Sequence, residues 1–243
     1  MKLHTREWGS GDRIALLVHG IMSDSRTWRR VGPALAGRGY RTVAVDLRGH
    51  GASDRSEHYP AEAYAADLVE TAEALGGVDV AIGHSLGGLA LLLAAEELRP
   101  AKAVYVDPAW RLREDGFDPA MFVRYADLAT AASIAAMNPK WAAEDVAIEI
   151  ETFALWDRQT ALDLSENTAA LREAGTAGDG TGVPKSAVVP SLVLLAGIGS
   201  AVPARDVETL RERGFTLRIV PGAGHTVQRD DFEGFMTALE GWI

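Results

Sequence analysis

The chain has 243 residues and a formal net charge of −10, from 24 Lys and Arg against 34 Asp and Glu. It contains no cysteine, which excludes disulfides, thiolate nucleophiles and cysteine-ligated metal sites. The acidic balance argues against nucleic acid as a partner, because no basic surface is available to release phosphate counterions. The first residues are polar and no apolar run could span a bilayer, so we expect a cytoplasmic protein with no membrane partner.

Short apolar runs separated by helical patterns predict an α/β fold. The predicted strands are Ile14–Val18, Thr42–Val45, Val78–Ile82, Ala103–Val106, Leu192–Leu195 and Leu217–Val220. The predicted helices run from Thr27 to Gly37, Ala61 to Leu75, Leu86 to Leu98, Pro203 to Arg213 and Asp230 to Trp242. The runs are apolar throughout, which is typical of strands covered on both faces. Strands that alternate with helices indicate a mostly parallel sheet with helices on both faces.

A long interval after Asp107 interrupts this alternation. It carries no clear strand pattern before residue 188, and it is rich in alanine and in bulky apolar residues. A long insertion at the carboxyl end of a strand is placed to cover a site. We therefore predict a core formed by residues 1–109 and 188–243, and a helical cap formed by residues 110–187. The last part of that cap, Ala174 to Ala187, is predicted to be a flexible return loop because it is rich in glycine.

The segment GHSLGG at residues 83–88 lies between a predicted strand and a predicted buried helix. The spacing Gly83-x-Ser85-x-Gly87 is the one required when a nucleophile stands on a sharp strand-to-helix turn. A Cβ at either glycine would collide with the neighbouring strand or helix. Ser85 is therefore the predicted nucleophile, and the N–H of Leu86 the first oxyanion donor. Such a pentapeptide also occurs by chance, but here the flanking elements favour the functional interpretation.

With this turn the sequence resembles compact, capped members of the α/β-hydrolase superfamily. Three further segments carry the resemblance: LLVHGIMSDSRTW at 16–28, VDLRGHGASD at 45–54 and PGAGHTVQRDDFEGF at 221–235. The resemblance implies an α/β-hydrolase fold with the cap inserted after the strand that the family counts as its sixth. It also implies hydrolysis without a metal or an organic cofactor.

The glycine-rich turn that precedes His225 places its imidazole over the carboxyl edge of the sheet, so His225 is the predicted base; a surface-loop histidine is the alternative. Gly20 permits a tight turn, so the N–H of Ile21 is the predicted second oxyanion donor, with Met22 next if the register differs by one. His19 and His84 are predicted to be structural.

The acid of the triad departs from the family pattern. Relatives usually carry G-x-x-D-x-x-V-P after the next strand, whereas here Ser200 stands at the aspartate position of the segment Gly197 to Pro203. A hydroxyl cannot supply the charge that stabilises an imidazolium. Asp107, at the end of the strand beside the nucleophile strand, is the predicted replacement. The alternatives are a turn role for Asp107, an acid at Asp230 or Asp231, a water-assisted dyad, or an inactive protein.

These residues predict a serine hydrolase that cleaves a small or medium hydrophobic carboxylic ester or lactone through an acyl-enzyme on Ser85. The same fold used for C–C bond hydrolysis, lyase or perhydrolase chemistry, or a non-catalytic ligand-binding homologue, is the alternative. The predicted partner is a small-molecule substrate, and homo-oligomerisation stays open. The candidate pocket residues are Met22, Trp28, Trp110, Phe122, Trp141 and Trp156, although most of them could instead form the core of the cap.

Overall fold

The computed structural model describes residues 1–110, 118, 120–163 and 183–243. These residues form one seven-stranded sheet with the strand order β1-β3-β2-β4-β5-β6-β7. The strands are β1 Thr5–Trp8, β2 Arg13–Val18, β3 Tyr40–Val45, β4 Val80–His84, β5 Lys102–Val106, β6 Ser191–Ala196 and β7 Phe215–Val220. Strand β1 pairs antiparallel with β3, and every other pairing is parallel.

All six predicted strands are present, and the mostly parallel sheet is confirmed. Strand β1 was not predicted, because its sequence TREW is polar and its residues are exposed or half-buried. It pairs with one neighbour at the edge of the sheet, where burial does not demand apolar side chains. Strands β2 to β6 are almost entirely buried, which explains why their sequences lack polar alternation.

The helices are α1 Val31–Ala36, α2 Ala61–Leu75, α3 Leu86–Leu98, α4 Ala120–Leu128, α5 Ala131–Met137, α6 Ala143–Leu155, α7 Val207–Glu212, α8 Val227–Asp230 and α9 Phe232–Ala238, with 3-10 turns at Ser25–Trp28 and Ala204–Asp206. Helices α2 and α3 have the predicted bounds. The predicted helix from Thr27 to Gly37 is divided into a 3-10 turn and α1. Pro33 explains the division, since proline is tolerated only in the first turn of a helix.

The core occupies both faces of the sheet. Helices α2 and α3 pack on one face, where Leu68 and Leu89 are buried with Leu16 of β2. Helices α1 and α9 pack on the other face, where Leu35 and Phe235 are buried together. Helices on both faces are therefore confirmed, and the carboxyl ends of the parallel strands are left as the open edge of the sheet.

Helices α4, α5 and α6 belong to the insertion, and we call them the cap helices. They enclose an apolar cluster of their own, which includes Ile134, Phe153 and Trp156. The insertion follows β5, which is the fifth strand of this chain and the one that the resemblance led us to number as the sixth. The bounds of the cap remain a prediction, and most of the predicted return loop, 174–182, lies outside the described residues. None of the described helices is long and apolar enough to cross a membrane.

Candidate active site

Ser85 stands on the turn between β4 and α3, and its backbone has φ 50° and ψ −114°. A positive φ at a serine is a strained conformation that only the surrounding structure can maintain. A Cβ at Gly83 would lie 2.4 Å from the carbonyl oxygen of Gly87, and a Cβ at Gly87 would lie 2.4 Å from that of Val18. The two glycines therefore allow the helix to approach β4 and β2 closely, as the spacing of the motif predicted.

The loop after β2 passes directly over this turn. A Cβ at Gly20 would lie 3.1 Å from the Cβ of Ser85 and 2.9 Å from the Nδ1 atom of His84. The N–H of Ile21 donates to no acceptor among the residues that the structure describes. Leu86 is the first residue of α3, so its N–H has no carbonyl partner within the helix. Both predicted oxyanion donors thus belong to the two segments that meet at Ser85.

His225 follows β7, and its Nδ1 atom lies 2.7 Å from the Oδ2 atom of Asp107. The Asp107 side chain is fully buried, whereas that of His225 is 45% exposed. The other two candidate acids serve backbone groups: Asp230 accepts from the N–H of Gly224, and Asp231 accepts from that of Gly234. Among the described residues, Asp107 is therefore the carboxylate that contacts the imidazole.

The Asp107 carboxylate accepts three further hydrogen bonds. They come from the Oγ–H of Ser200 and from the backbone N–H groups of Ala196 and Ala201. Burial favours the neutral acid, but the hydrogen bonds from His225, Ser200 and Ala201 outweigh it and hold the pKa of Asp107 below its ordinary value. The carboxylate is therefore charged and oriented throughout the neutral pH range.

The contact between Ser200 and Asp107 was missed by sequence reasoning, which treated Ser200 only as a position where the acid is absent. The signal was available, because both residues follow strands that predicted parallel neighbours would place side by side. The pairing of β5 with β6 brings the two strand ends together across the whole insertion.

Three histidines near the site are buried and structural, as predicted for His19 and His84. The Nδ1 atom of His19 contacts the carbonyl oxygen of Gly20, and its Nε2 atom accepts from the N–H of Leu47. The Nε2–H of His84 donates to the carbonyl oxygen of His225 and so holds the loop that carries it. Burial lowers the pKa of His19, and it lowers the pKa of His50 and of His84 to about 3.

A cavity of about 110 Å³ lies between the edge of the sheet and the cap helices. Ser85, His225 and Ile21 line its core side, while Phe122 of α4 and Glu149 of α6 line its cap side. Met22 also lines it, so Met22 and Phe122 lie where they were predicted. Arg229 borders the same space and pairs with Glu149. The wall therefore carries an ion pair as well as the predicted apolar side chains.

Four aromatic residues predicted for the pocket lie elsewhere. Trp28 is fully buried against Phe235, Trp110 packs against Tyr105 and Phe215, and Trp156 is buried within the cap helices. Trp141 donates its Nε1–H to Asp230. Large aromatic rings gain most from complete burial, and these side chains are drawn into the core or into the contact between core and cap. They are not part of the lining of the cavity.

The sequence of this chain matches the model of the alpha/beta hydrolase family over residues 15–238. The chain belongs to this family. Among its curated relatives is the N-formylmaleamate deformylase of Pseudomonas putida, which is 26% identical over 98% of this chain and 91% of that protein. The 2-(acetamidomethylene)succinate hydrolase of Mesorhizobium japonicum is 42% identical, but only over 35% of this chain and 31% of that protein.

A solved structure has a fold similar to that of this chain. The crystal structure of the N-formylmaleamic acid deformylase from Pseudomonas putida S16 superimposes with a TM-score of 0.81. It is 25% identical, and the match covers 98% of this chain and 96% of that one. In the part of the chain that the structure describes, no group of three or more histidine or carboxylate side chains is placed to hold a metal ion.

Proposed function

We propose that this chain is a serine hydrolase that cleaves a carboxylic ester or lactone through an acyl-enzyme on Ser85. One arrangement carries the proposal: the pair formed by His225 and Asp107 borders the same cavity as a serine on a strained strand-to-helix turn. A nucleophile, a base and a buried acid that orients the base are the parts that acyl transfer requires.

In the proposed reaction, His225 accepts the proton of Ser85 as the Oγ atom bonds to the carbonyl carbon of the substrate. The N–H groups of Ile21 and Leu86 stabilise the oxyanion that forms. The leaving group departs with the proton held by His225, and the acyl group remains on Ser85. A water molecule then repeats the sequence and releases the acid. Asp107 holds the imidazole in the correct tautomer and stabilises its positive charge.

Amide hydrolysis is the second candidate function. It is favoured by the similarity to the deformylase, which extends along nearly the whole of both chains. The same nucleophile and base serve both reactions, since His225 would protonate a departing nitrogen as it protonates a departing oxygen. The relatives named for epoxide hydrolysis and haloperoxidation match only about a third of this chain. Perhydrolase chemistry is therefore a weaker alternative, and C–C bond hydrolysis and lyase chemistry stay as further alternatives for the same fold.

A fluorophosphonate probe tests the proposal directly. We expect the wild-type protein to be labelled on Ser85, and we expect S85A to remain folded without being labelled. Aryl esters, lactones and N-formyl amides assayed side by side then separate the two candidate functions. A folded wild-type protein that neither reacts with the probe nor hydrolyses any of these compounds would instead indicate the non-catalytic ligand-binding homologue.

A further inference from the structure

Arg229 contributes a nearly buried cation to the wall of the cavity. It lies on α8, four residues after His225, and its side chain is only 3% exposed. Its Nη1–H donates to Glu149, and the ring of Trp141 lies 4.7 Å from its Cζ atom. The Nε and Nη2 atoms are buried, and neither has a hydrogen-bond partner among the described residues.

Other arginines of this chain bind carboxylates through Nε and Nη2, the two donors that are unpaired in Arg229. Arg29, Arg41 and Arg48 each donate from Nε and Nη2 to the two oxygens of one carboxylate. Their respective partners are Asp145, Glu7 and Asp67, at distances of 2.6 to 3.2 Å. At Arg229 the same pair of donors is unpaired, and none of the described residues supplies an acceptor to them.

Leaving two donors of a buried guanidinium unpaired is costly, because both the charge and the N–H groups have lost water. A planar carboxylate satisfies both donors at once, in the parallel geometry that arginine favours. Ser23 also lines this cavity, and its Oγ atom is likewise buried without a hydrogen-bond partner among the described residues. The wall of the cavity therefore includes two residues, Arg229 and Ser23, with buried polar atoms that are unpaired among the described residues, beside the one carboxylate of Glu149.

We propose that Arg229 binds a carboxylate of the substrate, so that the compound hydrolysed at Ser85 carries a free acid group in addition to the reacting carbonyl. The inference rests on the proposed function and narrows its substrate class to the half-esters or half-amides of dicarboxylic acids. The charge of Glu149 already compensates Arg229 in part, which favours a singly charged carboxylate over a phosphate dianion. The inference adds an acid group to the small or medium hydrophobic ester or lactone that the sequence predicted.

Two substrates of similar length test the inference: 4-nitrophenyl hydrogen glutarate, which carries a carboxylate, and 4-nitrophenyl valerate, which does not. The quantity to measure is kcat/KM for the glutarate divided by kcat/KM for the valerate. We expect the wild-type protein to prefer the glutarate, and R229M to lower that ratio by about 10- to 100-fold, as loss of a charged hydrogen-bonding partner does. E149Q should raise the ratio, because it removes the competing negative charge.

The matched control is R211M, which removes one positive charge from an exposed ion pair with Glu208. It should leave the ratio unchanged, since a distant surface charge is screened by solvent. A wild-type protein that hydrolyses valerate through Ser85 as readily as glutarate would overturn the inference while the proposed function stood.

Binding provides a second readout that needs neither turnover nor a variant of Arg229. Calorimetry with glutarate itself, on S85A and on S85A/E149Q, should show binding that is tighter when Glu149 is replaced. Absence of glutarate binding at millimolar concentration to both folded proteins would refute the carboxylate subsite. Failure of the fluorophosphonate labelling together with retained glutarate binding would instead refute the proposed chemistry alone.

Discussion

The carboxyl edge of the sheet and the cap helices form opposite walls of one cavity, and they are built in different ways. At the edge of the sheet, position is fixed by the backbone: Ser85 and Asp107 both have positive φ angles, and Gly83 packs against the backbone of α3. The cap helices reach the core through side chains, by ion pairs such as that between Arg29 and Asp145.

Under the proposed function, this difference separates the reacting groups from the groups that recognise the substrate. Backbone that is packed against backbone leaves no freedom for the reacting groups, which suits chemistry that depends on distances of a few tenths of an ångström. Contacts between side chains can change one at a time without disturbing the sheet. We therefore expect variants at the edge of the sheet to alter kcat, and variants at the contacts of the cap to alter KM, substrate preference or local stability.

The largest expected effect is that of D107N. Ser200 and Ala201 donate to different oxygens of Asp107, so the single acceptor oxygen of an asparagine keeps one of these two hydrogen bonds. The side chain keeps its size and the fold should persist, but the charge that stabilises the imidazolium is lost. We expect kcat to fall by about 10⁴-fold, with a circular dichroism spectrum like that of the wild type. Near-normal turnover would show that the orientation of His225 does not depend on this carboxylate, and the contrast between the two walls would fail.

Acid should destabilise the core through its buried neutral histidines. The pKa of His50 and of His84 is about 3 in the folded chain, against 6.5 when unfolded, so the unfolded state binds more protons below pH 6.5. The contribution of each neutral histidine to the free energy of unfolding is fully present above pH 6.5. It is lost as the pH falls towards 3, by about 1.4 kcal/mol per pH unit for each histidine.

Urea unfolding between pH 7 and pH 5 measures this loss. H50N should reduce the change in unfolding free energy per pH unit, whereas H58N, at an exposed histidine, should leave that change as it is in the wild type. The sequence has no histidine between residues 85 and 224, so the cap contributes none of this dependence. An equal slope in H50N and the wild type would contradict the assignment to buried imidazoles.

A smaller and local effect is expected for R29M. This variant leaves the buried carboxylate of Asp145 without its bidentate partner, which costs about 3 kcal/mol for a buried pair. Helix α6 should therefore exchange its amide hydrogens faster, while β4 and β5 remain protected. The matched control is R124M, which breaks an exposed pair with Asp118 and should change exchange very little.

The smallest effect is expected for S200A. Asp107 loses one of its donors but keeps the N–H of Ala201 and the contact with His225. We expect kcat to fall by about 10- to 100-fold, with KM unchanged, because a hydrogen bond to a charged group contributes about 1.5 to 3 kcal/mol. S200T, which retains a hydroxyl, should recover most of the loss. A fall as large as that of D107N would mean that Ser200 holds the acid in place rather than merely supporting it.

The fold was predictable because its signals are local. Strands β2 to β6 are apolar throughout, and the glycines at 83 and 87 encode a close approach that steric arguments detect without a structure. Strand β1 was not predicted from the sequence because an edge strand needs no apolar pattern. The split before α1 follows from Pro33, so that feature too could have been read from the sequence.

The pocket was less predictable because the direction of a side chain is set by its tertiary neighbours. Trp28 and Trp110 are of a residue type that is expected in an apolar pocket, yet both side chains are buried in the core. Arg229 gave no signal beyond its position four residues after His225, and its importance depends on which of its donors are left unpaired. That property belongs to the assembled structure and to no segment of the chain.

The contact between Ser200 and Asp107 has an evolutionary consequence. Two adjacent strand ends share one hydrogen-bonded position beside the imidazole, so the negative charge can be supplied from either of them. A lineage can acquire a second carboxylate at one strand end before it discards the first, and each step leaves the histidine with an anionic neighbour. Under the proposed function, the chemistry demands only that one of these two strand ends supply an anion beside the imidazole.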